Sequence, residues 1–325
     1  SKRSLPASFH YGASRVAVSA ACKRCAMCLH GCPWNLIYSA SHTLDAMRGQ
    51  TGFEYRPGTF IESFEETADG VSLVTQTGET LDADRVFVAT GVLETARLVL
   101  RSLPSLSTLT LKDSQHGFVP MLHRWFAPAR PDALPTTTLP QAFVEIDDPE
   151  VSPHLVHSQI YTWNEHYLRD LMENYGHKIP GSAPLWRILS RRLIVAQMFL
   201  HSDHSAQIGL RLNRDGKLDA ELKENADTAK VFERAKKTLS PAMSKAGLTT
   251  LGFATRMGAV GSSFHTGGSL AMAKQPVAGQ SDVLGRHYGL NRVHIVDASV
   301  LPSIPATTIT FSVMANAHRI ASLAP

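Results

Sequence analysis

The chain has 325 residues, 43% of them hydrophobic and 18% charged, with a formal net charge of +4 and a pI near 8.9. That length and apolar fraction are enough to bury a sizeable core in about two domains of a soluble globular protein. Lys and Arg are scattered without interleaved aromatics, and no apolar stretch nears the ~20 residues that cross a bilayer, so the expectation is no nucleic-acid groove and no membrane span.

Along the chain, the opening SKRSLPASFHYGASR lacks the apolar centre of a secretory signal. This leaves the compartment open, with the cytoplasm as the expectation. All four cysteines follow within one short run, Cys22, Cys25, Cys28 and Cys32, closed by Pro33. A helix is expected around 39–48, then strands around Phe60, at 71–75 and at 86–90, with Gly49, Gly70 and Gly78 as turns. The last of these strands, VFVAT, enters Gly91 and an apolar-periodic helix, ETARLVL.

From about 103 the pattern changes. GFVPMLHRW, LPQAFVEID, HLVHSQIYTW, RRLIVAQMFLH and SAQIGLRLN read as strands of an antiparallel sheet, parted by Pro-rich breaks such as APARPDALP at 127–135. Asp215 and Gly216 signal a hairpin turn. A charged amphipathic helix is expected over 225–247, with Asp227 or Thr228 as its cap and Gly247 as its stop.

The final block places His265 in a Gly-tight turn, FHTGGSLAM at 264–272. A buried strand, VHIV, then ends in Asp297, with Ala298 and Ser299 putting polar atoms at the edge where open α/β sheets bind ligands. Pro302 and Pro305 punctuate a loop before a helix over 308–321. Its small or apolar residues predict packing on most sides, with the amino end turned back to the strand's edge.

The cysteine run reproduces the bacterial ferredoxin spacing C-x2-C-x2-C-x3-C-P. In two-cluster ferredoxins the fourth cysteine serves the other cluster, and no second run exists here, so three cysteines on a cluster or an unusual four-ligand loop are the alternatives. Zinc normally draws on separated pairs. Disulfides stay open, with no pairing suggested by the spacing.

Three stretches, TLDAM at 43–47, VFVATGVLETARLVLRS at 86–102, and FHTGGSLAM with NRVHIVDASVLPSIPATTITFSVMANAHRIA at 291–321, together resemble the glucose-methanol-choline (GMC) family of flavin-dependent oxidoreductases. The resemblance covers about 1–102 and 261–325, with a divergent middle. It implies an α/β flavin-side module at 1–102, an α+β substrate domain with an antiparallel sheet at 103–260, and a return to the FAD-binding domain at 261–325. The implied chemistry is oxidation of a CH–OH group of an alcohol or sugar by hydride transfer to FAD, with His265 taking the proton. An imidazole with pKa ~6.5 suits that role near neutrality.

The family adds a His or Asn before its last helix. Here that position falls on Thr308, flanked by Thr307 and Thr310, and a Thr orients a hydroxyl without acting as a base. Asn316 and His318 read as packing or capping residues. The resemblance also sets Asp297 beside the ribityl and pyrophosphate, Ala298 and Thr307–Thr308 near the isoalloxazine, and Thr90 and Gly91 against the dinucleotide. Taken alone, Asp297 is an ordinary strand-end or cap carboxylate. Many members carry a Cys-rich segment where this run lies, most without metal, while some dehydrogenases hold an iron–sulfur cluster. A cluster, structural thiols and zinc therefore all remain open for Cys22, Cys25, Cys28 and Cys32.

Members open with a βαβ unit bearing GxGxxG, and this sequence has no GxG. The expectation is a carboxyl-terminal part whose amino-terminal FAD-binding part lies upstream or on a partner subunit. The alternative is a non-catalytic or electron-transfer subunit that completes a flavin site of another chain. His201 and His204 read as surface residues, and Tyr161, Trp163 and Tyr167 as core, rim or substrate-side aromatics.

Overall fold

A computed structural model describes residues 6–124, 137–162, 164–176 and 180–324. In chain order the strands are β1 Phe9–Ala13, β2 Ile61–Glu66, β3 Val71–Thr75, β4 Thr80–Ala83, β5 Val86–Val88, β6 Leu109–Asp113, β7 His116–His123, β8 Ala142–Ile146, β9 Val156–Tyr161, β10 Leu193–Phe199, β11 Gln207–Leu212, β12 Leu218–Lys223, β13 Leu248–Thr250, β14 Arg256–Met257, β15 Thr266–Gly267 and β16 Val293–Ile295. The α-helices are α1 Ala40–Met47, α2 Val92–Ser102, α3 Glu165–Tyr175, α4 Ala183–Arg192, α5 Thr228–Lys245 and α6 Thr310–Leu323. They fall into two units, one of Ser1–Tyr55, His116–Phe199 and Val231–Met257, the other of Arg56–Gln115, Leu200–Lys230 and Gly258–Pro325.

The first unit is built on an antiparallel sheet in the order β1-β8-β9-β10-β7-β13, with β14 also pairing β7. β10 lies between β9 and β7, and its VAQMF stretch is buried throughout. In α5, Val231, Phe232, Ala235, Leu239, Ala242 and Met243 are buried at helical spacing, as an amphipathic helix on a sheet requires. Gly117 of β7 permits that packing, because a Cβ there would lie 2.5 Å from the Phe232 ring. The four strand-like runs GFVPMLHRW, LPQAFVEID, HLVHSQIYTW and RRLIVAQMFLH thus contribute β7 to β10. The Pro-rich stretch 127–135 lies outside the described residues.

Two helices of this unit escaped the sequence reading, although both carry start signals. The Asn164 side chain accepts from His166 N at 3.0 Å at the head of α3, and α4 has a Pro in its first turn, both ordinary helix openings.

The second unit holds a sheet in the order β12-β11-β6-β15, a meander β2-β3-β4, and a parallel pair, β5 with β16. Its core joins Phe64, Val88, Ala96, Val99, Leu109, Leu111, Leu210, Leu270, Val293, Ile295 and Val300. One expectation is corrected here and one is met. SAQIGLRLN forms β11, but it pairs with β6 and β12 and not with the sheet of the other four runs; strand propensity is local, whereas choice of partner is set by tertiary packing. The hairpin at Asp215–Gly216 is formed, with Leu212 opposite Leu218.

α6 is not packed on most sides. Only Ile320 is buried, and Phe311 is 82% exposed. Its Ala and Ser positions carry few charges yet present little apolar area, so an apolar-looking helix can lie at a surface at small cost.

Candidate functional site

His265 and its glycines are fixed by the second unit's own backbone. His265 is buried, 8% exposed. Gly268 N donates to Ala298 O at 2.9 Å, Leu270 N to Ser299 O at 2.8 Å, and Met272 N to Val300 O at 2.8 Å. This ladder ties the segment after His265 to the segment after Asp297. The two glycines make the approach possible: a Cβ on Gly267 would overlap the Ala298 carbonyl and lie 2.8 Å from Ile304, and one on Gly268, at φ +69°, would lie 3.0 Å from Leu301 O. The resulting turn draws the His265 strand and the 297–304 segment into one layer.

Asp297 is the hub of the neighbouring strand ends. Its Oδ2 accepts from Gly91 N at 3.1 Å and from Thr95 Oγ1 at 2.5 Å, and its Oδ1 accepts from Ser299 N at 2.8 Å. Both carboxylate oxygens are therefore used by protein donors, and the residue caps one turn while clamping the start of α2. Thr90 and Gly91 lie exposed at the end of β5. The Thr90 hydroxyl pairs with Thr95 Oγ1 at 2.8 Å. Gly91 has φ +85°, and the space a Cβ would enter is open, so backbone there can approach a bound molecule closely.

Ala298 is buried and packs with Ile304 and Ile309. Thr308 is exposed and Thr307 half-buried, just ahead of α6. Further along α6, the Asn316 carboxamide oxygen accepts from Arg319 Nη2 at 2.9 Å, and that guanidinium also reaches Val283 O at 2.6 Å; Asn316 is thus a packing residue.

The sequence reading missed the polar run Asp113, Ser114, Gln115 and His116, all of it buried. Ser114 N donates to His265 O at 3.0 Å, and Gly261 N donates to Asp113 Oδ2 at 3.2 Å. Burial pushes the Asp113 carboxyl above its ordinary pKa, against hydrogen bonds from Gly261, Ser263 and Ser114. Four polar residues between two apolar strand-like runs were the signal available in the sequence.

In the first unit, the sheet face opposite α5 carries polar side chains at matched register. Glu145 stands opposite His157, with His157 Nδ1 3.0 Å from Glu145 Oε1, and burial lowers the His157 pKa against the pull of Glu145. Gln159 accepts from the Tyr161 hydroxyl at 2.8 Å. Gln197 stands opposite Gln159 and has a buried Nε2 without a hydrogen-bond partner among the described residues. Burial raises the pKa of Tyr161 and of Tyr167. Trp163 lies outside the described residues.

The same unit holds the cysteines. Cys22, Cys25, Cys28 and Cys32 are free thiols that line one small cavity of ≈10 Å³ with Lys23, Met27, Trp34 and Leu36. The chain reaches this arrangement through left-handed conformations at Arg24 and Ala26, either side of Cys25, and at Asn35. Such non-glycine conformations cluster where a ligand site over-determines the backbone. Arg24 N donates to Cys22 Sγ at 3.4 Å and Leu36 N to Cys32 Sγ at 3.2 Å. The Leu36 N–H is the main cause holding the Cys32 thiol below its usual pKa; slight burial opposes it, and the N–H groups of Trp34, Ile37 and Asn35 add to it.

Among the described residues the four cysteines do not form a group of three or more ligand atoms converged for one metal ion. In the second unit, His201 Nδ1 accepts from Asp203 N at 3.2 Å and caps a short turn.

Residues 207–317 match the sequence family described as GMC oxidoreductase, in its carboxyl-terminal domain. No curated protein sequence matches the chain. Among solved structures, pyridoxine 4-oxidase from Mesorbium loti is similar in fold, with 16% sequence identity and a TM-score of 0.57, covering 85% of this chain and 59% of that one. The chain thus spans less than two thirds of the length of that protein.

Proposed function

We propose, from the match of residues 207–317 to the GMC oxidoreductase family, that the chain is a member of that family and acts as an FAD-dependent oxidoreductase on CH–OH groups of an alcohol or sugar. The observation that carries this reading is the His265 turn, stitched by Gly267 and Gly268 to the segment that follows a strand-end Asp. When bound, FAD supplies the acceptor for the hydride that leaves the carbinol carbon. His265 takes the hydroxyl proton, so that the C–H and O–H bonds give way to a carbonyl. Thr308, with its side chain open, orients the substrate hydroxyl.

Thr90, Gly91, Ala298 and Thr307 are the proposed cofactor contacts, the open Cβ space at Gly91 being what fits a closely approaching group. Asp297 serves the same edge by fixing Gly91 and Ser299, its own oxygens being engaged.

Two further parts belong to this reading. An amino-terminal FAD-binding part, upstream or on a partner subunit, supplies the Gly-rich phosphate turn. This is supported by the parallel pair β5–β16: parallel sheets occur with both faces covered, yet Phe87 of β5 is 43% exposed and Leu93 of α2 is 50% exposed. The four cysteines are the proposed ligands of one iron–sulfur cluster, a reading that rests on the C-x2-C-x2-C-x3-C-P spacing and on the left-handed backbone at Arg24 and Ala26 either side of Cys25. That pairing of groups favours a dehydrogenase over an oxidase.

The same uncovered apolar surface favours a second reading, a non-catalytic or electron-transfer subunit that completes a flavin site of another chain. The visible spectrum of the purified chain separates the two. Flavin bands are expected for the enzyme, iron–sulfur absorption without flavin supports the subunit, and a colourless protein that takes up neither group on reconstitution contradicts both.

A further inference from the structure

We infer that Asp113 is a positioning residue for His265, holding the turn that presents the imidazole. The inference rests on the reading of His265 as the proton acceptor.

Asp113 ends β6, is fully buried, and stands opposite Thr266 in the β6–β15 register. The turn before His265 hangs on its carboxyl: Gly261 N donates to Oδ2 at 3.2 Å, and the Ser263 side chain beside it holds the carboxyl's pKa down against burial. Ser263 Oγ in turn accepts from His265 N at 2.9 Å. On the other side of the residue, His265 O accepts from Ser114 N, next in chain to Asp113. Both backbone polar groups of His265 are thus fixed by Ser263, which lies beside the Asp113 carboxyl, or by Ser114, its neighbour in the chain.

The turn needs this anchor because Gly261 sits at φ +76° and Phe264 beside the buried His265 is 77% exposed, so the chain must hold one ring inward and the next outward. Among the described residues Asp113 Oδ1 is buried without a hydrogen-bond partner, a feature that calls for an explanation. A neutral acceptor would tie Gly261 and Ser263 with less desolvation.

Small displacement of a catalytic group by a residue outside the chemistry is enough to slow a reaction by ~10²-fold. The test is a double-mutant cycle on the flavin-loaded full protein, read as the limiting rate of anaerobic flavin reduction by a primary alcohol or aldose. Asp113→Ala is expected to slow that rate ~10- to 100-fold with little change in the substrate concentration at half-saturation. Asp113→Asn, which keeps an acceptor oxygen for Gly261 and Ser263, should restore most of it. In a His265→Ala background, Asp113→Ala should slow the reaction no further, because its effect passes through His265.

An additive loss in that background, or an unchanged rate in Asp113→Ala, overturns the inference. If Asp113→Ala does not fold, Ser263→Ala carries the same cycle. A His265→Ala protein that reduces its flavin normally overturns the reading of His265 itself, whereas a slow His265→Ala with a normal Asp113→Ala overturns only the role of Asp113.

Discussion

The cysteine loop of the first unit and the His265 turn of the second are both dense sequence motifs, but the fold treats their polar groups in opposite ways. Around His265 the chain consumes its own donors and acceptors: Asp297 spends both oxygens on Gly91, Thr95 and Ser299, and Gly268, Leu270 and Met272 donate to the 298–300 segment. Around the cysteines, four thiols face a common cavity, and two backbone N–H groups point at sulfur. A motif residue whose polar atoms are saturated by the fold is architecture, and one whose atoms converge on space is a ligand in waiting. By this criterion Asp297 is architecture, and the thiols are where the proposed cluster is to be tested.

The comparison breaks first at the cysteines, where the expected effect is largest. Cys28→Ala should remove nearly all bound iron and acid-labile sulfide from anaerobically purified protein while leaving the thermal melt of metal-free protein nearly unchanged, because a half-buried thiol adds little packing. Iron content equal to wild type would show that the loop holds no cluster at that position. Next in size is Gly267→Ala, whose Cβ would overlap the Ala298 carbonyl. Overpacking of this kind costs about 1–3 kcal/mol, and denaturant unfolding with an unchanged midpoint would mean that the two segments are not held together as described.

The smallest effect sharpens the second region. Burial pushes the Asp282 carboxyl up, but hydrogen bonds from the Arg286 side chain and from the Arg286 and Leu284 N–H groups outweigh it and leave the pKa below the usual carboxylate value. A depressed carboxylate stabilises the fold above its unfolded pKa, near 4, and loses that contribution as pH falls through the lower folded value. Asp282→Asn should therefore cost about 1 kcal/mol at neutral pH and progressively less below pH ~4. An equal deficit at pH 7 and in acid would assign the loss to packing.

The fold was legible where punctuation was local. Gly91 before α2, the hairpin at Asp215–Gly216, and the Gly-tight turn after His265 all announce themselves, because each needs a residue type that few other sites require. Sheet membership was not legible, since β11 carries the same alternation whichever strands it joins. The burial of Asp113 was hidden for a related reason: its partners Gly261 and Ser263 are distant in sequence, and only the β6–β15 pairing brings them together. α6 misled through composition, because Ala and Ser lower the charge of a helix without giving it much apolar area to bury.

The most direct test of the central claim is anaerobic stopped-flow reduction of the flavin-loaded protein by a CH–OH substrate, comparing wild type with His265→Ala. The account predicts that the flavin bands bleach with one carbonyl product formed per flavin, and that His265→Ala slows the bleaching ~10²–10⁴-fold, the scale of a lost general base. Bleaching at the wild-type rate in His265→Ala would contradict it.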